Sequence, residues 1–438
     1  MEITIHRGAH EIGGNCIEVT ADKTRIILDL GMPLVEPGNK QQKFESLSIK
    51  GKSTKELLDQ GVLPNVTGLY KNGDGGTPPD ALFLSHSHQD HYGLTAFLHP
   101  DIPVYLSGES QAVIEVSDLF LPTKAYLGKC VPLKSEKAVK VGDFRVTPYL
   151  MDHSAFGAMA FLIEADGKRL FYSGDIRGHG RKGKLFQRFL RIAPKPVDCL
   201  LMEGTTLDRP SKAIVKEEEL EGDLMKIIRE FPGLKLIATS PQNVDRMVTL
   251  YRAAIRTNSL LVVDLYAAHL LDQIHSFAGV PYPSPSFKNL KVFFFKKMMR
   301  HLLRNKRGDL IPKYHHFEIG MKELKANFGR SIFLFRDSML PDVKEFGDLK
   351  GSVLIYSMYQ GYMQEPKFQA VKQFLDEQDI PIRILHTSGH APFEDLKKFV
   401  GALKAKVVVP IHTTRPDRFK ELHPHIHPLS DGEPFQIP

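Results

Sequence analysis

The chain has 438 residues, 42% of them hydrophobic and 25% charged, which is the balance of a soluble globular protein long enough for two domains. No apolar run approaches the roughly 18 residues of a membrane span: the longest candidate, Leu260 to Leu271, is broken by Asp264 and His269, and Met1 to His6 lacks the order of a signal peptide. Three distant cysteines, Cys16, Cys130 and Cys199, exclude a disulfide framework and suit a reducing, cytoplasmic compartment. The net charge of +7 is uneven, because residues 281–330 hold twelve lysines and arginines against three acids, an excess of +9 that suits a polyanion such as nucleic acid.

In chain order, the first 35 residues read as strand, tight turn, strand, strand, with turn chemistry at Glu11-Ile12-Gly13-Gly14-Asn15 and an apolar strand over Thr24–Leu30. Residues 37–80 are polar and rich in glycine, proline and lysine, which predicts an irregular insertion with one short helix at 55–60. An apolar strand, Ala81–Leu84, then delivers Ser85-His86-Ser87-His88-Gln89-Asp90-His91, and a helix is expected over Tyr92–Leu98. Short strands follow at Val104-Tyr105, Phe144–Leu150, Ala160–Ala165 and Arg169–Ser173. Near residue 210 strands begin to alternate with helices, as in a parallel α/β unit: helix Ile214–Phe231, strand Leu234–Ala238, helix Asn243–Ala254, strand Leu260–Asp264, and later strand Val353–Ser357, helix Pro366–Gln378 and strand Ile382–Leu385. Lys406–Ile411 reads as a buried strand. The histidines of Pro424-His425-Ile426-His427-Pro428 fit an irregular surface segment better than a metal site. The run Phe293-Phe294-Phe295 cannot all face one side, so part of it is core, and the basic residues around it, Lys296, Lys297 and Arg300, are candidates to guide a nucleic acid.

Three imidazoles and a carboxylate within six residues, His86 to His91, exceed what packing needs, and both groups are ordinary ligands of borderline divalent metals. His86 and His88 can share one side of an extended segment, with Asp90 and His91 following where the chain turns. That division suits two adjacent metals. Further potential ligands recur where apolar strands end: His153 in Met151-Asp152-His153, Asp175 in Ser173-Gly174-Asp175, and His412 in Pro410-Ile411-His412. Singly each is more often a hydrogen-bonded structural residue; with the His86–His91 cluster the set becomes specific.

His-x-His-x-Asp-His, a distal histidine and Ser-Gly-Asp resemble the metallo-β-lactamase superfamily. Glu203 in Leu201-Met202-Glu203-Gly204-Thr205, His390 in Thr387-Ser388-Gly389-His390-Ala391, and His412 resemble motifs A, B and C of its β-CASP subgroup, similar to ribonuclease J-like proteins and cleavage-and-polyadenylation endonucleases. The resemblance implies a metallo-β-lactamase αββα sandwich from residues 1–205 and 370–438, with an inserted α/β β-CASP domain at 206–369. It implies that His86, His88 and His153 hold one divalent metal, that Asp90, His91 and His412 hold a second, and that Asp175 bridges them. Zinc is the first expectation, with manganese as the other metal that tolerates these ligands. Asp29 would support the site from behind. His390 would protonate the leaving oxygen or stabilise the scissile phosphate, held by Glu203, and Ser388-Gly389 would bring backbone N–H groups to a phosphate.

The activity so implied is a metal-dependent ribonuclease that hydrolyses phosphodiester bonds with hydroxide activated by two metals. A histidine at motif C marks the RNA-processing branch, so single-stranded RNA is the expected partner, with no membrane; assembly, including a homodimer, is open. The alternatives are a DNA nuclease of the same fold and a small-molecule hydrolase of a lactone or thioester; an inserted domain and the +9 segment are features a small substrate does not need. The chain departs from the ribonuclease J pattern after His412, where Thr413-Thr414-Arg415 replaces Gly-Glu, and at Tyr356–Gly361, where a Gly-Ser-Gln-Gly-Glu-like loop is absent. These departures leave endo- or exonuclease mode and 5′-end preference undetermined.

Overall fold

The computed structural model describes residues 1–73, 75–122, 124–209 and 215–438. It contains two compact units, residues 1–213 with 389–438 and residues 214–388.

The first unit follows from the two-residue period of its strands. Along Thr24–Leu28, Ile26 and Leu28 face one way and Ile27 the other; along Met159–Ala165, Phe161 and Ile163 oppose Ala160 and Leu162. Both faces are apolar, so each sheet needs cover on both sides. A seven-stranded sheet runs in the order Pro434–Gln436, Glu2–Arg7, Cys16–Ala21, Thr24–Leu28, Ala81–Phe83, Val104–Ser107, Cys130–Leu133. A six-stranded sheet runs Val407–Ile411, Cys199–Glu203, Lys168–Tyr172, Met159–Ala165, Phe144–Leu150, Val139–Val141. Their inner faces share one core, in which Ile3, Val19, Leu28 and Phe83 pack with Phe144, Phe161, Tyr172 and Leu201. Outside the first sheet lie residues 44–70 and the helix Gly108–Phe120; outside the second lie the helices Gly183–Ile192 and Phe393–Leu403, whose Phe189 and Phe399 rings stack 5.0 Å apart. The layering is the expected αββα sandwich.

Pairing then decides where the strand ends go. Thr24–Leu28 is parallel to Ala81–Phe83, and Lys168–Tyr172, Cys199–Glu203 and Val407–Ile411 are mutually parallel. Phe144–Leu150 is antiparallel to Met159–Ala165, itself antiparallel to Lys168–Tyr172, so Leu150 also ends beside Met159 on that edge. Every loop bearing a candidate ligand therefore leaves the sandwich at one edge, and there the Met159 N–H donates to the Ser85 carbonyl at 2.8 Å, joining the sheets.

Two sequence expectations change. The helix expected over Tyr92–Leu98 is instead a short helix Gln89–Tyr92 and a 3-10 turn Thr95–Phe97, broken at Gly93; the Leu94 N–H donates to the Leu30 carbonyl, outside any helix. The segment 37–80 is more than an irregular insertion. Its helix, Thr54–Asp59, is held by a Ser53–Glu56 capping box, and Phe44, Ile49, Leu57, Leu63, Leu69 and Tyr70 are buried in the outer layer of the first sheet. Sparse apolar residues in a polar stretch hid that role.

The second unit is the expected parallel α/β fold. Six parallel strands run in the order Leu290–Val292, Leu260–Val263, Ser331–Phe335, Lys235–Ala238, Val353–Tyr356, Ile382–Ile384. Asn243 and Asp264 cap the helices Val244–Arg256 and Leu265–Ile274 through side-chain oxygens. Phe293 and Phe295 are core, as the run of three required. The helix expected from Ile214 begins at Glu217, and residues 210–214 lie outside the described residues. Residues 370–388, assigned from the sequence to the returning segment, belong to this unit: the helix Pro366–Glu377 buries Val371 and Phe374 in its core, and Ile382–Ile384 adds its last strand.

This unit buries an ion pair, Arg246 with Glu217, in a two-bond fork of 2.7 and 3.1 Å. Arg246→Ala leaves the buried carboxylate with the Thr249 hydroxyl but without its counter-charge, and loss of one partner of a buried pair costs about 3–5 kcal/mol. A clear fall in the denaturant midpoint is expected; an unchanged midpoint refutes the assignment.

Candidate metal centre

The site is assembled from the strand ends upward. Asp29 follows Thr24–Leu28 and adopts a left-handed backbone, φ 58°. Its carboxylate is fully buried and accepts four hydrogen bonds: from the Ser85 N–H and hydroxyl (both 2.7 Å), from the Tyr172 hydroxyl (2.5 Å) and from His91 Nδ1 (2.7 Å). The last bond puts a His91 proton on Nδ1 and turns Nε2 toward the other candidate ligands, 3.3 Å from Asp175. The loop after Asp29 then lies along the His cluster, with Leu30 N–H on the His91 carbonyl (2.8 Å) and Met32 N–H on the Gln89 carbonyl (2.9 Å). Gly31 is required there, because a Cβ would fall 1.7 Å from the Asp90 carbonyl oxygen.

Three groups of side chains result. His86, His88, His153 and Asp175 present ligand atoms within 4.8 Å of one another; so do Asp90, His91 and His412; so do Asp175, His390 and His412. In the first group His88 Nδ1 lies 3.2 Å from both His86 Nε2 and His153 Nε2. A tetrahedral site with metal–nitrogen bonds of about 2.0–2.1 Å has an edge of about 3.3–3.4 Å. Asp175 Oδ2 stands at the centre of the whole constellation, 3.3 Å from His91 Nε2, 3.6 Å from His86 Nε2, 3.7 Å from His153 Nε2 and His390 Nδ1, and 3.9 Å from His412 Nε2. Asp90 Oδ2 is 3.9 Å from His91 Nε2 and 3.8 Å from His412 Nε2.

Electrostatics prepares these groups for a cation. Burial pushes the imidazoles of His86 and His153 well below their usual range, and that of His88 down to about 4, so they are neutral lone-pair donors at pH 7. Burial also lowers His412. At His91 burial opposes the charged form, yet Asp175, Asp29 and Asp90 outweigh it and raise the pKa. At Asp175 burial is likewise outweighed, by His412, His91 and His390, and the carboxyl is held well below the usual range. Positive charge is what the carboxylates demand. His91 Nε2, His412 Nε2 and Asp175 Oδ1 are buried without a hydrogen-bond partner, a costly state that a divalent cation among them relieves. The donor set therefore fits divalent metal.

Behind this cluster Glu203, fully buried at the end of its strand, accepts from the Ile176 N–H (2.9 Å) and the Thr205 N–H (3.3 Å) and faces His390 Nδ1 at 3.0 Å. Burial works against charge on His390, but Glu203 and then Asp175 overcome it and push the pKa up to about 9. His390 is thus an imidazolium at neutral pH. Gly389 closes against Ser154, whose Oγ would lie 2.6 Å from a Cβ there. Ser388 is half-buried and belongs to the second unit. Among the described residues the tail histidines His423, His425 and His427 join none of the three groups.

Four contributors escaped the sequence reading. Ser85 and Tyr172 hold Asp29, and Asn15, read only as turn chemistry, places Oδ1 3.1 Å from His412 Nδ1. Lys182 donates to the His153 carbonyl at 3.1 Å. Only Ser85 carried a signal, its place directly before the cluster.

Comparison with known proteins agrees with this geometry. A family model described as a beta-lactamase superfamily domain matches residues 58–224, and one described as a Zn-dependent metallo-hydrolase RNA specificity domain matches residues 381–422. These matches support a likeness to the metallo-β-lactamase superfamily, and to its ribonuclease J-like β-CASP proteins. It is 21% identical to ribonuclease J of Helicobacter pylori over 426 residues, 94% of this chain and 56% of that one. It is 24% identical to ribonuclease J of Mycoplasma genitalium over 253 residues, 57% of this chain and 41% of that one. The chain therefore spans about half the length of these curated relatives. A crystal structure of a protein of unknown function from Enterococcus faecalis V583 has the same fold, with a TM-score of 0.79, 23% identity and 99% coverage of both chains.

Asp29 holds His91, a candidate ligand, through its far nitrogen, and removal of such a partner typically weakens metal affinity about 10–100-fold. Asp29→Asn keeps a residue that tolerates the left-handed backbone. A loss of that size is expected in competition against a chelator, and wild-type affinity would dismiss the orienting role.

Proposed function

We propose that the protein is a metal-dependent ribonuclease acting on single-stranded RNA in the cytoplasm. The observation that carries the reading is the Glu203–His390 pair set 3.0 Å apart beside Asp175, at the edge of a ligand set for two cations. In the proposed site His86, His88 and His153 would hold one metal and Asp90, His91 and His412 the other, with Asp175 shared between the two sets. Zinc is favoured by the nitrogen-rich set, with manganese as the alternative. When bound, the two cations supply the Lewis acidity that makes water nucleophilic near pH 7 and offsets charge on the phosphoryl oxygens.

The chain's own residues do the rest. Asp175, held ionised by the imidazoles around it, keeps negative charge at the centre of the site, where it favours a bound cation. Glu203 fixes His390 through Nδ1 and maintains its positive charge, and the imidazolium Nε2–H donates to the leaving oxygen of the scissile phosphodiester. Gly389, without a side chain against Ser154, lets the backbone approach the phosphate, with Ser388 as its neighbour in that contact. A family model whose description names RNA specificity, matched across Ser388 to His412, and relatives named ribonuclease J support RNA over DNA and over a small ester.

End-labelled single-stranded RNA and DNA of matching sequence test this. RNA-selective cleavage should vanish in Asp175→Ala and fall at least about 100-fold in His390→Ala, the scale of a lost general acid. Equal cleavage of DNA would move the reading to a DNA nuclease. Inert polymers with metal-loaded enzyme, together with hydrolysis of a lactone or thioester, would replace it with a small-molecule hydrolase.

Removal of metal supplies a separate check. Dialysis against a chelator should abolish cleavage, and zinc or manganese should restore it. Full activity in protein shown free of both metals overturns the metal-dependent mechanism.

A further inference from the structure

The helix Lys296–Arg304 of the second unit breaks the local rules of helix stability. Its first turn carries Lys296 and Lys297 and no acid, although the N-terminal end of a helix is its positive end. The residue before it, Phe295, offers no side-chain cap. The usual remedy for orphaned N–H groups, a carboxylate or hydroxyl, has been replaced by two ammonium groups. A sequence selected for stability alone avoids this arrangement.

The rest of the helix extends the pattern. At 100° per residue, Lys296, Lys297, Arg300 and Arg304 fall within an arc of about 100°. All four are exposed. The opposite side holds Leu302, fully buried, and Met298, packed on the core. The cations therefore form one stripe facing solvent, with Lys296, Arg300 and Arg304 rising over roughly 12 Å along the axis. Among the described residues Lys296 has Glu345 at 3.9 Å, while Lys297, Arg300 and Arg304 have no carboxylate partner. Two other cations of the segment are paired, Arg307 with Asp309 at 3.2 Å and Lys313 with Asp272 at 2.5 Å. Three cations without a carboxylate partner thus share this one face.

We infer that the exposed stripe Lys296, Lys297, Arg300 and Arg304 is a docking track for the phosphate backbone of single-stranded RNA, distinct from the metal ligands. The inference rests on the ribonuclease reading for its choice of polyanion. Closely spaced phosphates complement a row of exposed cations, and negative charge brought to the first turn relieves both the lysine repulsion and the uncapped N–H groups. The track contacts charge and not bases, so it confers affinity and reach on long substrates without sequence preference. A small phosphodiester gains nothing from it.

The test uses the full chain with Lys297→Ser, Arg300→Ser and Arg304→Ser combined, all solvent-facing changes. Binding of a labelled 20-nucleotide single-stranded RNA is measured in chelator, which prevents cleavage, across a salt series. Each lost phosphate contact on a single strand lowers the slope of log K against log salt by about 0.7. The triple variant should lose about 2 from that slope and bind at least about 10-fold more weakly at 0.1 M salt, with hydrolysis of bis(p-nitrophenyl) phosphate by metal-loaded enzyme unchanged. Single-stranded DNA should show the same loss of slope, since the contact is to phosphate. If wild type binds RNA and the variant keeps its slope, the track is wrong and the ribonuclease reading stands. If wild type neither binds nor cleaves RNA, that reading fails and takes the track with it. A fall in the variant's hydrolysis of the small diester equal to its loss of RNA affinity would mark a global defect and overturn the inference.

Discussion

A buried carboxylate is costly unless its lone pairs are met, and Asp29 is fully buried, with four donors around it. Those donors come from two places: Ser85 and His91 from the segment after Ala81–Phe83, and Tyr172 from the end of a strand in the other sheet. One side chain therefore ties the two sheets together at the edge where all the ligand loops emerge. The bond to His91 carries this structural role into the chemistry, because it decides which imidazole nitrogen is left for a metal. Tyr172 lies in the core between the sheets and reaches Asp29 only through its hydroxyl, so the packing of the sandwich and the geometry of the site are the same problem at this point.

The cost of the site is visible in the backbone as well as in the side chains. Asp29 and His412 both sit in the left-handed region, φ 58° and 51°, where residues other than glycine are uncommon and strain costs on the order of 1–3 kcal/mol each. His412 is held there by its N–H on the Gly8 carbonyl at 2.7 Å. Unpaired ring nitrogens and crowded carboxylates add to that cost. The two-sheet core, apolar on both faces of each sheet, offsets it, and a bound cation removes much of the remainder.

The second unit shows the opposite economy. Its polar residues are mostly matched, as in the Arg246–Glu217 fork, and its strands are plain apolar runs under helices. Its one conspicuous violation is the uncapped, lysine-led helix Lys296–Arg304, on which charge is gathered rather than balanced. Local instability in one unit and buried strain in the other both sit where the chain is proposed to meet its substrate.

The candidate ligands and the parallel α/β unit were legible in residue type and in the alternation of strands and helices, and the αββα sandwich was legible through the family resemblance that the ligand motifs carry. Ligand chemistry is written in residue type, and His86-x-His88-x-Asp90-His91 after an apolar strand has few other uses. Period-two alternation, likewise, is a local property that survives without the fold. Tertiary structure alone decided what lies behind each ligand. Asn15 looked like a turn residue and Tyr172 like a strand end, because a hydrogen bond between residues 143 or 397 positions apart leaves no local trace. It also decided that residues 37–80 cover a sheet and that 370–388 stay with the second unit, since burial depends on which face a sparse apolar residue meets. The neutrality of His88 and the charge of His390 came last: both are imidazoles in the sequence, and only burial and the nearness of Glu203 and Asp175 tell them apart.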